Sequence, residues 1–200
     1  MVTVASYNCQ QSQDRALFFL TNTAAGADAM CTQESGTRLA LNSYSANTPN
    51  MAVADGFIND GCMVVTSTKD RVQASESLPI RAGKNQNRSA LLVKLRGCGL
   101  IVVNVHLTSG NESRSKPELT DIYNHVIQKY PKKAPWLIIG DFNHDPRDFS
   151  DAMGVQFACG PEHSGGNYLD WAISNANIEP GSYPRYFGSD HGPWYVEVNI

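Results

Sequence analysis

Residues 136–143 read Trp-Leu-Ile-Ile-Gly-Asp-Phe-Asn, an apolar run followed by a glycine, a carboxylate and an amide. Four apolar residues before Gly140 are typical of a short strand in the centre of a sheet. Asp141 and Asn143 therefore lie where this strand leaves the core. Polar side chains in that position line the edge of a sheet, where residues from distant parts of a chain converge on clefts.

Polar residues occur at the ends of other predicted strands in the same way. Alternation and apolar runs predict strands at residues 2–8, 27–33, 62–67, 71–78, 89–95, 100–107, 168–173 and 194–198. Helices are predicted at 14–20 and 116–130, with Pro117 in the first turn of the second. The polar residues at or beside the strand ends are Asn8, Gln33, Glu34, His106, Asp170, Asp190 and His191. Because strands and helices do not alternate strictly, we expect a mixed sheet or a pair of sheets with outer helices.

Composition limits the classes of function. The 200 residues carry a net charge of −3 and are 42% hydrophobic, which is ordinary for one globular domain. A protein that coats nucleic acid is usually basic, so nucleic acid is expected here only as a substrate held by a local patch. No window approaches the ~18 uninterrupted apolar residues of a membrane span, so no membrane insertion is expected. The five cysteines do not have the spacing of a zinc site. Their positions predict neither the presence nor the absence of a disulfide.

The residue types at the strand ends suit phosphate chemistry. Oxygen donors are the typical ligands of a hard cation, chiefly Mg²⁺. The candidates are Asn8, Glu34, Asp141 and Asp190. Mg²⁺ usually takes one or two carboxylates together with water and substrate phosphate oxygens, which indicates a phosphate ester substrate. The sequence has no GxxxxGK[ST] loop and no serine-hydrolase elbow, which disfavours nucleotide switches and serine hydrolases.

Six short motifs occur in a recognisable order. They are Ser-Tyr-Asn8, Thr-Gln-Glu34, Asn-Val-His106, Gly-Asp141-Phe-Asn143, Leu-Asp170-Trp and Ser-Asp190-His191. The set resembles the endonuclease/exonuclease/phosphatase superfamily, the group of DNase I, abasic-site endonucleases and inositol 5-phosphatases. Within it, residues 140–146 and 169–173 look most similar to the catalytic subunit of cytolethal distending toxin. The resemblance spans nearly the whole chain and implies a single DNase I-like catalytic domain over residues 1–200.

The resemblance also implies a fold and a metal site. The fold would be a four-layered α/β sandwich, with two mixed β-sheets packed face to face and helices on the outside. Glu34 matches the principal Mg²⁺ ligand, and Asn8 and Asp190 match residues that complete or support the metal site. Mn²⁺ or Ca²⁺ would be the substitutes for Mg²⁺.

Catalytic roles are implied for the remaining motif residues. His191 matches the general base that prepares the attacking water, and Asp170 matches the carboxylate that holds its ring. Such a carboxylate selects the tautomer and raises the basicity of the imidazole. Asp141 and Asn143 match residues that orient the water and the scissile phosphate. His106 matches a second histidine, which contacts the phosphate.

Two further residues are implied outside these motifs. Arg88, in a strand that resembles one shared by DNase I and the toxin subunit, matches a residue that grips a substrate phosphate. Together with Arg81 and Lys84 it forms a basic segment suited to a nucleic-acid backbone or, equally, a solvated loop. Asp60 matches an acidic residue that supports His106, or is simply the turn residue of Asn59-Asp60-Gly61.

The first functional hypothesis is a Mg²⁺-dependent, largely sequence-nonspecific DNA endonuclease that uses in-line attack by an activated water. The alternative is a phosphatase acting on phosphoinositides or other phosphomonoesters with the same residues. A non-enzymatic binding module is disfavoured because the motif residues are intact. The resemblance to a toxin further implies a genotoxin-like effector with delivery subunits, which is exported and acts inside target cells, in the nucleus. The sequence has no charged start followed by an apolar run, so no export signal is expected within these residues.

Overall fold

The structure is a computed structural model that describes residues 1–24, 26–35, 52–55, 63–66, 72–79, 89–110, 112–148, 155–160, 164, 166–184 and 189–200. The first half of the chain contains β1 (Val2–Asn8), α1 (Gln13–Phe18), β2 (Ala29–Gln33), β3 (Ala52–Asp55), β4 (Met63–Thr66), β5 (Val72–Pro79) and β6 (Ser89–Leu95). The second half contains β7 (Ile101–His106), α2 (Glu112–Lys129), β8 (Trp136–Asp141), β9 (Gln156–Cys159), β10 (Asp170–Ser174), β11 (Asn177–Ser182) and β12 (Trp194–Asn199). A π turn at Phe19–Thr23 extends α1, and a 3-10 turn covers Pro146–Asp148.

The described strands form two mixed sheets. The first sheet has the order β11-β12-β1-β2-β4-β3, and its β1 and β2 are parallel, with Asn8 opposite Gln33. The second has the order β5-β6-β7-β8-β10-β9, and its β7 and β8 are parallel, with His106 opposite Asp141. In both sheets a parallel pair therefore lies at the centre, flanked by antiparallel strands.

Helices cover the outer face of each sheet. The apolar side of α1 and its π extension, including Ala16 and Phe19, packs on the first sheet. Leu119 and Val126 of α2 pack on the second. Between the sheets lies the largest cluster, to which both contribute, for example Val4, Val93, Val102, Ile139 and Trp194. Burial of each such side chain is worth about 1.5–3 kcal/mol. The four-layered α/β sandwich is thus confirmed.

Several boundaries differ from the sequence prediction. α2 begins at Glu112, so Pro117 lies inside the helix and not in its first turn. Because proline has no backbone N–H, one backbone hydrogen bond of α2 is missing at this position. β3, β9 and β11 were not predicted. All three are edge strands, and β11 contains Pro180 and Gly181, residues that are uncommon inside strands. No helix of the described residues is long and apolar enough to cross a membrane.

The four described cysteines do not cross-link the fold. Cys9 and Cys31 are buried, Cys98 and Cys159 are half-buried, and none of the four is in a disulfide. Burial raises the pKa of the Cys9 thiol. Cys62 lies outside the described residues. Between the sheets, the fold is held together by the apolar core.

Candidate active site

The sheet topology brings the predicted site residues to one edge. Asn8 is the last residue of β1, His106 the last of β7, and Asp141 the last of β8. Parallel neighbours end at the same edge of a sheet. β10 is antiparallel to β8 and begins there with Asp170 directly opposite Asp141. His106, Asp141 and Asp170 therefore form a row across three neighbouring strands.

Asp141 lies at the centre of the site and is 1% exposed. Its Oδ2 accepts a hydrogen bond from Asn8 Nδ2 at 2.8 Å, which links the two sheets. Its Oδ1 accepts the backbone N–H of Asn143 at 2.8 Å. Burial and the charge of Asp170 raise the pKa of Asp141, and the favourable interactions with His191, Asn8 and Asn143 lower it again only in part. The loss of solvent on burial is thus the largest cause of the raised pKa of Asp141.

His191 and Asp170 form a close pair. His191 Nδ1 lies 2.6 Å from Asp170 Oδ2, and Asp170 is 1% exposed. Burial lowers the pKa of His191, but the hydrogen bond and charge of Asp170, with Asp141 and Asp190, outweigh it and raise the pKa to about 9. Positive charge brought to these carboxylates would favour the neutral imidazole, whose Nε2 can accept a proton. Ser189 positions this segment, since its Oγ donates to Asn8 O at 3.4 Å and accepts the His191 N–H at 3.2 Å.

Acidic and imidazole groups alternate across the site. The order is Asp190, His191, Asp141, His106 and Glu34. Each neighbouring pair brings an imidazole Nε2 within 3.5–3.9 Å of a carboxylate oxygen. The two imidazoles thus face one shared oxygen, Asp141 Oδ2, from 3.6 Å and 3.8 Å. Such an arrangement can hold a phosphate group and move a proton at its edge.

Left-handed backbone occurs at the site in residues other than glycine. Glu34 has φ 50° and Asn143 has φ 54°. Gln10 and Gln11, which follow β1, are also left-handed, and Gln11 Nε2 donates to Glu34 Oε2 at 3.2 Å. This conformation is uncommon outside glycine and concentrates at functional sites. Asn143 is held in place by a hydrogen bond from its Nδ2 to Leu107 O at 2.9 Å.

The donors at the mouth of the site fit a hydrated hard cation. The side chains of Glu34 and Asp190 are 23% and 37% exposed, whereas Asp141 and Asp170 are buried. Among the described residues, no three His, Cys, Asp or Glu side chains form a group that could hold a metal by themselves. Mg²⁺ does not require one, because it keeps several waters and takes one or two carboxylates with substrate oxygens. The residues present therefore fit Mg²⁺ and do not fit a closed structural site.

The structure brings together eight of the residues predicted from sequence. They are Asn8, Glu34, His106, Asp141, Asn143, Asp170, Asp190 and His191. Their individual roles stay predictions. Arg88 and Asp60, with Arg81 and Lys84, lie outside the described residues. Ser189 and Gln11 had no predicted role. Asn104 was also missed, although a polar residue within the apolar run of β7 is a signal that the sequence offers.

Solved structures of other proteins share the two-sheet fold of this chain. No protein-family model matches this sequence, and no curated protein matches it. Haemophilus ducreyi cytolethal distending toxin is similar in structure, with 16% identity over 100% of this chain and 98% of that chain and a TM-score of 0.71. D. rerio TDP2, complexed with a single-strand DNA product, has 16% identity over 100% and 99% of the two chains and a TM-score of 0.76. Bacteroides thetaiotaomicron mannosyl-6-phosphatase has 13% identity over 100% of both chains and a TM-score of 0.78.

Proposed function

We propose that this chain, which has the DNase I-like fold of the endonuclease/exonuclease/phosphatase superfamily, is a Mg²⁺-dependent DNA endonuclease of low sequence specificity. The observation that carries this proposal is the pair of imidazoles facing Asp141 Oδ2, one of them held by Asp170. Two bases around a buried carboxylate, with exposed carboxylates beside them, suit hydrolysis of a phosphodiester.

The proposed reaction is an in-line attack of water on phosphorus. His191 takes the proton of the water at Nε2, while Asp170 holds the ring through Nδ1. Asp141 and Asn143 orient the water and the scissile phosphate. His106, whose Nε2 lies 3.6 Å from Asp141 Oδ2, contacts the phosphate. The P–O bond to the leaving oxygen breaks as the bond to the water oxygen forms, and His106 assists the transfer of a proton to the leaving oxygen.

Glu34 is the proposed principal ligand of Mg²⁺, with Asn8 and Asp190 completing or supporting the site. When bound, the cation neutralises negative charge on the phosphate oxygens, as Mn²⁺ or Ca²⁺ would in its place. Arg88 is proposed to grip a neighbouring phosphate through its forked guanidinium. Contacts to phosphate rather than to base edges carry no sequence information, which accounts for the low specificity.

DNA as the substrate is supported by the D. rerio TDP2 structure, which contains a single-strand DNA product. The toxin likeness supports a genotoxin-like effector, exported with delivery subunits and acting inside target cells. A second function has support of its own, because a mannosyl-6-phosphatase shares the fold at a TM-score of 0.78. That candidate is a phosphatase on phosphoinositides or other phosphomonoesters, using the same residues.

Relaxation of a supercoiled plasmid tests the proposal. We expect nicking with Mg²⁺, none with EDTA, and a loss of at least 10²-fold in Glu34→Gln, since the amide removes the ligand charge. Glu179→Gln is the matched control, because Glu179 is exposed on the edge strand β11. Release of inorganic phosphate from phosphoinositides is measured in parallel.

The outcomes separate the two functions. Folded, Mg²⁺-supplied protein that releases phosphate without nicking DNA would replace the nuclease proposal by the phosphatase. Nicking that persists in EDTA, or in Glu34→Gln at the rate of Glu179→Gln, would contradict the metal site. Activity on neither substrate would overturn both functions.

A further inference from the structure

Two buried amide side chains join the sheets directly behind the candidate site. Gln33 Nε2 donates to Asn104 Oδ1 at 2.6 Å and to Ser6 Oγ at 3.2 Å. Asn104 Nδ2 donates to Thr32 O at 2.9 Å. All four residues have 0% exposure. The first sheet, through β1 and β2, is therefore hydrogen-bonded to β7 of the second.

The hydrogen-bonding groups leave one consistent orientation for this pair. Thr32 O can only accept, so the Asn104 atom that faces it must be the amide nitrogen. Asn104 Oδ1 then faces Gln33, and the Gln33 atom that meets it must be Nε2. Each amide thus determines the orientation of the other, and neither can rotate by 180° without placing two like groups together.

These polar residues are close neighbours in sequence of the catalytic candidates. The pairs are Ser6 with Asn8, Gln33 with Glu34, and Asn104 with His106. Residues two apart on a strand face the same side of the sheet, so Ser6 and Asn104 lie in the layer below Asn8 and His106. A shift of one sheet against the other would change the amide contacts and the separation of Glu34 from His106, which is 3.5 Å, together.

We infer that Gln33 and Asn104 are a positioning pair that sets Glu34 of the first sheet against His106 and Asp141 of the second. The inference rests on the proposed phosphoesterase function, since it concerns the same site. Neither amide touches the reacting atoms. Their effect is to hold the two halves of the site, which come from different sheets, at one separation.

The pair is not a fully satisfied hydrogen-bond network. Gln33 Oε1 is buried and has no hydrogen-bond partner among the described residues. A buried polar group without a partner is unfavourable, and replacing both partners by apolar groups of similar shape is close to neutral. In the double variant Gln33→Met with Asn104→Leu both amides are removed together and only Ser6 Oγ and Thr32 O lose a donor, so its free energy of unfolding should fall by less than the sum of the two single variants. Its activity should nonetheless fall.

The experiment measures kcat, KM and unfolding in both single variants and the double variant, with the plasmid assay and urea. We expect kcat to fall at least tenfold in each, with KM within about threefold, and the double to lose no more than the worse single variant because the two act as one unit. The ¹H–¹⁵N NMR signals of the His106 ring should shift in all three. The control combines Gln128→Met and Asn177→Leu, which replace an exposed glutamine and an exposed asparagine.

A folded double variant with wild-type kcat and unshifted His106 signals would overturn the inference. If the apolar variants do not fold, Gln33→Asn replaces them, because it keeps the amide but is one methylene too short to bridge the sheets. Wild-type kcat in folded Gln33→Asn would again overturn it. A wild type without activity would instead count against the proposed function, and the His106 signals would still test the positioning pair.

Discussion

Replacing His191 by alanine is expected to slow phosphodiester cleavage by about 10²- to 10⁴-fold, the usual contribution of a general base. Asp170→Asn should cause a loss of the same order. The asparagine keeps the shape but not the charge that orients the ring, whose Nδ1 lies 2.6 Å from Asp170 Oδ2. Because the pair acts as a unit, the double variant should be no slower than His191→Ala alone. Single-turnover rates on a nicking substrate measure the three losses.

Asp170→Asn should also lower the pKa of His191 from about 9, since the hydrogen bond and the charge of Asp170 both favour the imidazolium. An NMR titration of the His191 ring measures this shift directly. The controls are His125→Ala and Asp121→Asn, which alter α2 on the outer face of the second sheet. Losses that multiply in the double variant would show that His191 and Asp170 act independently. His191→Ala with wild-type turnover would remove the general base from the proposed reaction.

Gly140→Ala is expected to destabilise the fold and inactivate the site. Gly140 has φ +145°, and an added Cβ would lie 2.2 Å from Val105 O and 3.0 Å from Val105 N. A backbone strain of about 1–3 kcal/mol and an overpacking penalty of about 1–3 kcal/mol together lower the free energy of unfolding by about 2–6 kcal/mol. To make room, β8 must move away from β7. Because Asp141 is the next residue of β8, this movement would displace its carboxylate from the site.

Urea unfolding of Gly140→Ala, with plasmid nicking at low denaturant, measures both effects. Gly26→Ala is the matched control, because a Cβ at Gly26 has no atom within 4 Å. Its free energy of unfolding should stay within about 0.5 kcal/mol of the wild type. A Gly140→Ala protein with wild-type stability and turnover would contradict the close approach of β7 and β8 on which the row of His106, Asp141 and Asp170 depends.

Most of the catalytic candidates could be predicted because each follows a strongly patterned strand. The run from Trp136 to Ile139 predicts a buried strand, and Gly140 with Asp141 marks its end. The motif order then indicates the superfamily and, with it, the face-to-face sheets. Local pattern was less informative at the edges of the sheets, where β9 is only four residues long and β11 has one isoleucine and contains a proline.

Other features depend on contacts between residues far apart in the chain. Asn8 meets Asp141 across 133 positions, and Gln33 meets Asn104 across 71. No pattern within either strand encodes these distances, because they arise where two separately patterned sheets pack together. The raised pKa of Asp141 has the same origin, since burial between the sheets and the nearby Asp170 cause it. Local periodicity thus specified the strands and their polar ends, while the packing of the sheets set the distances and charges among those ends.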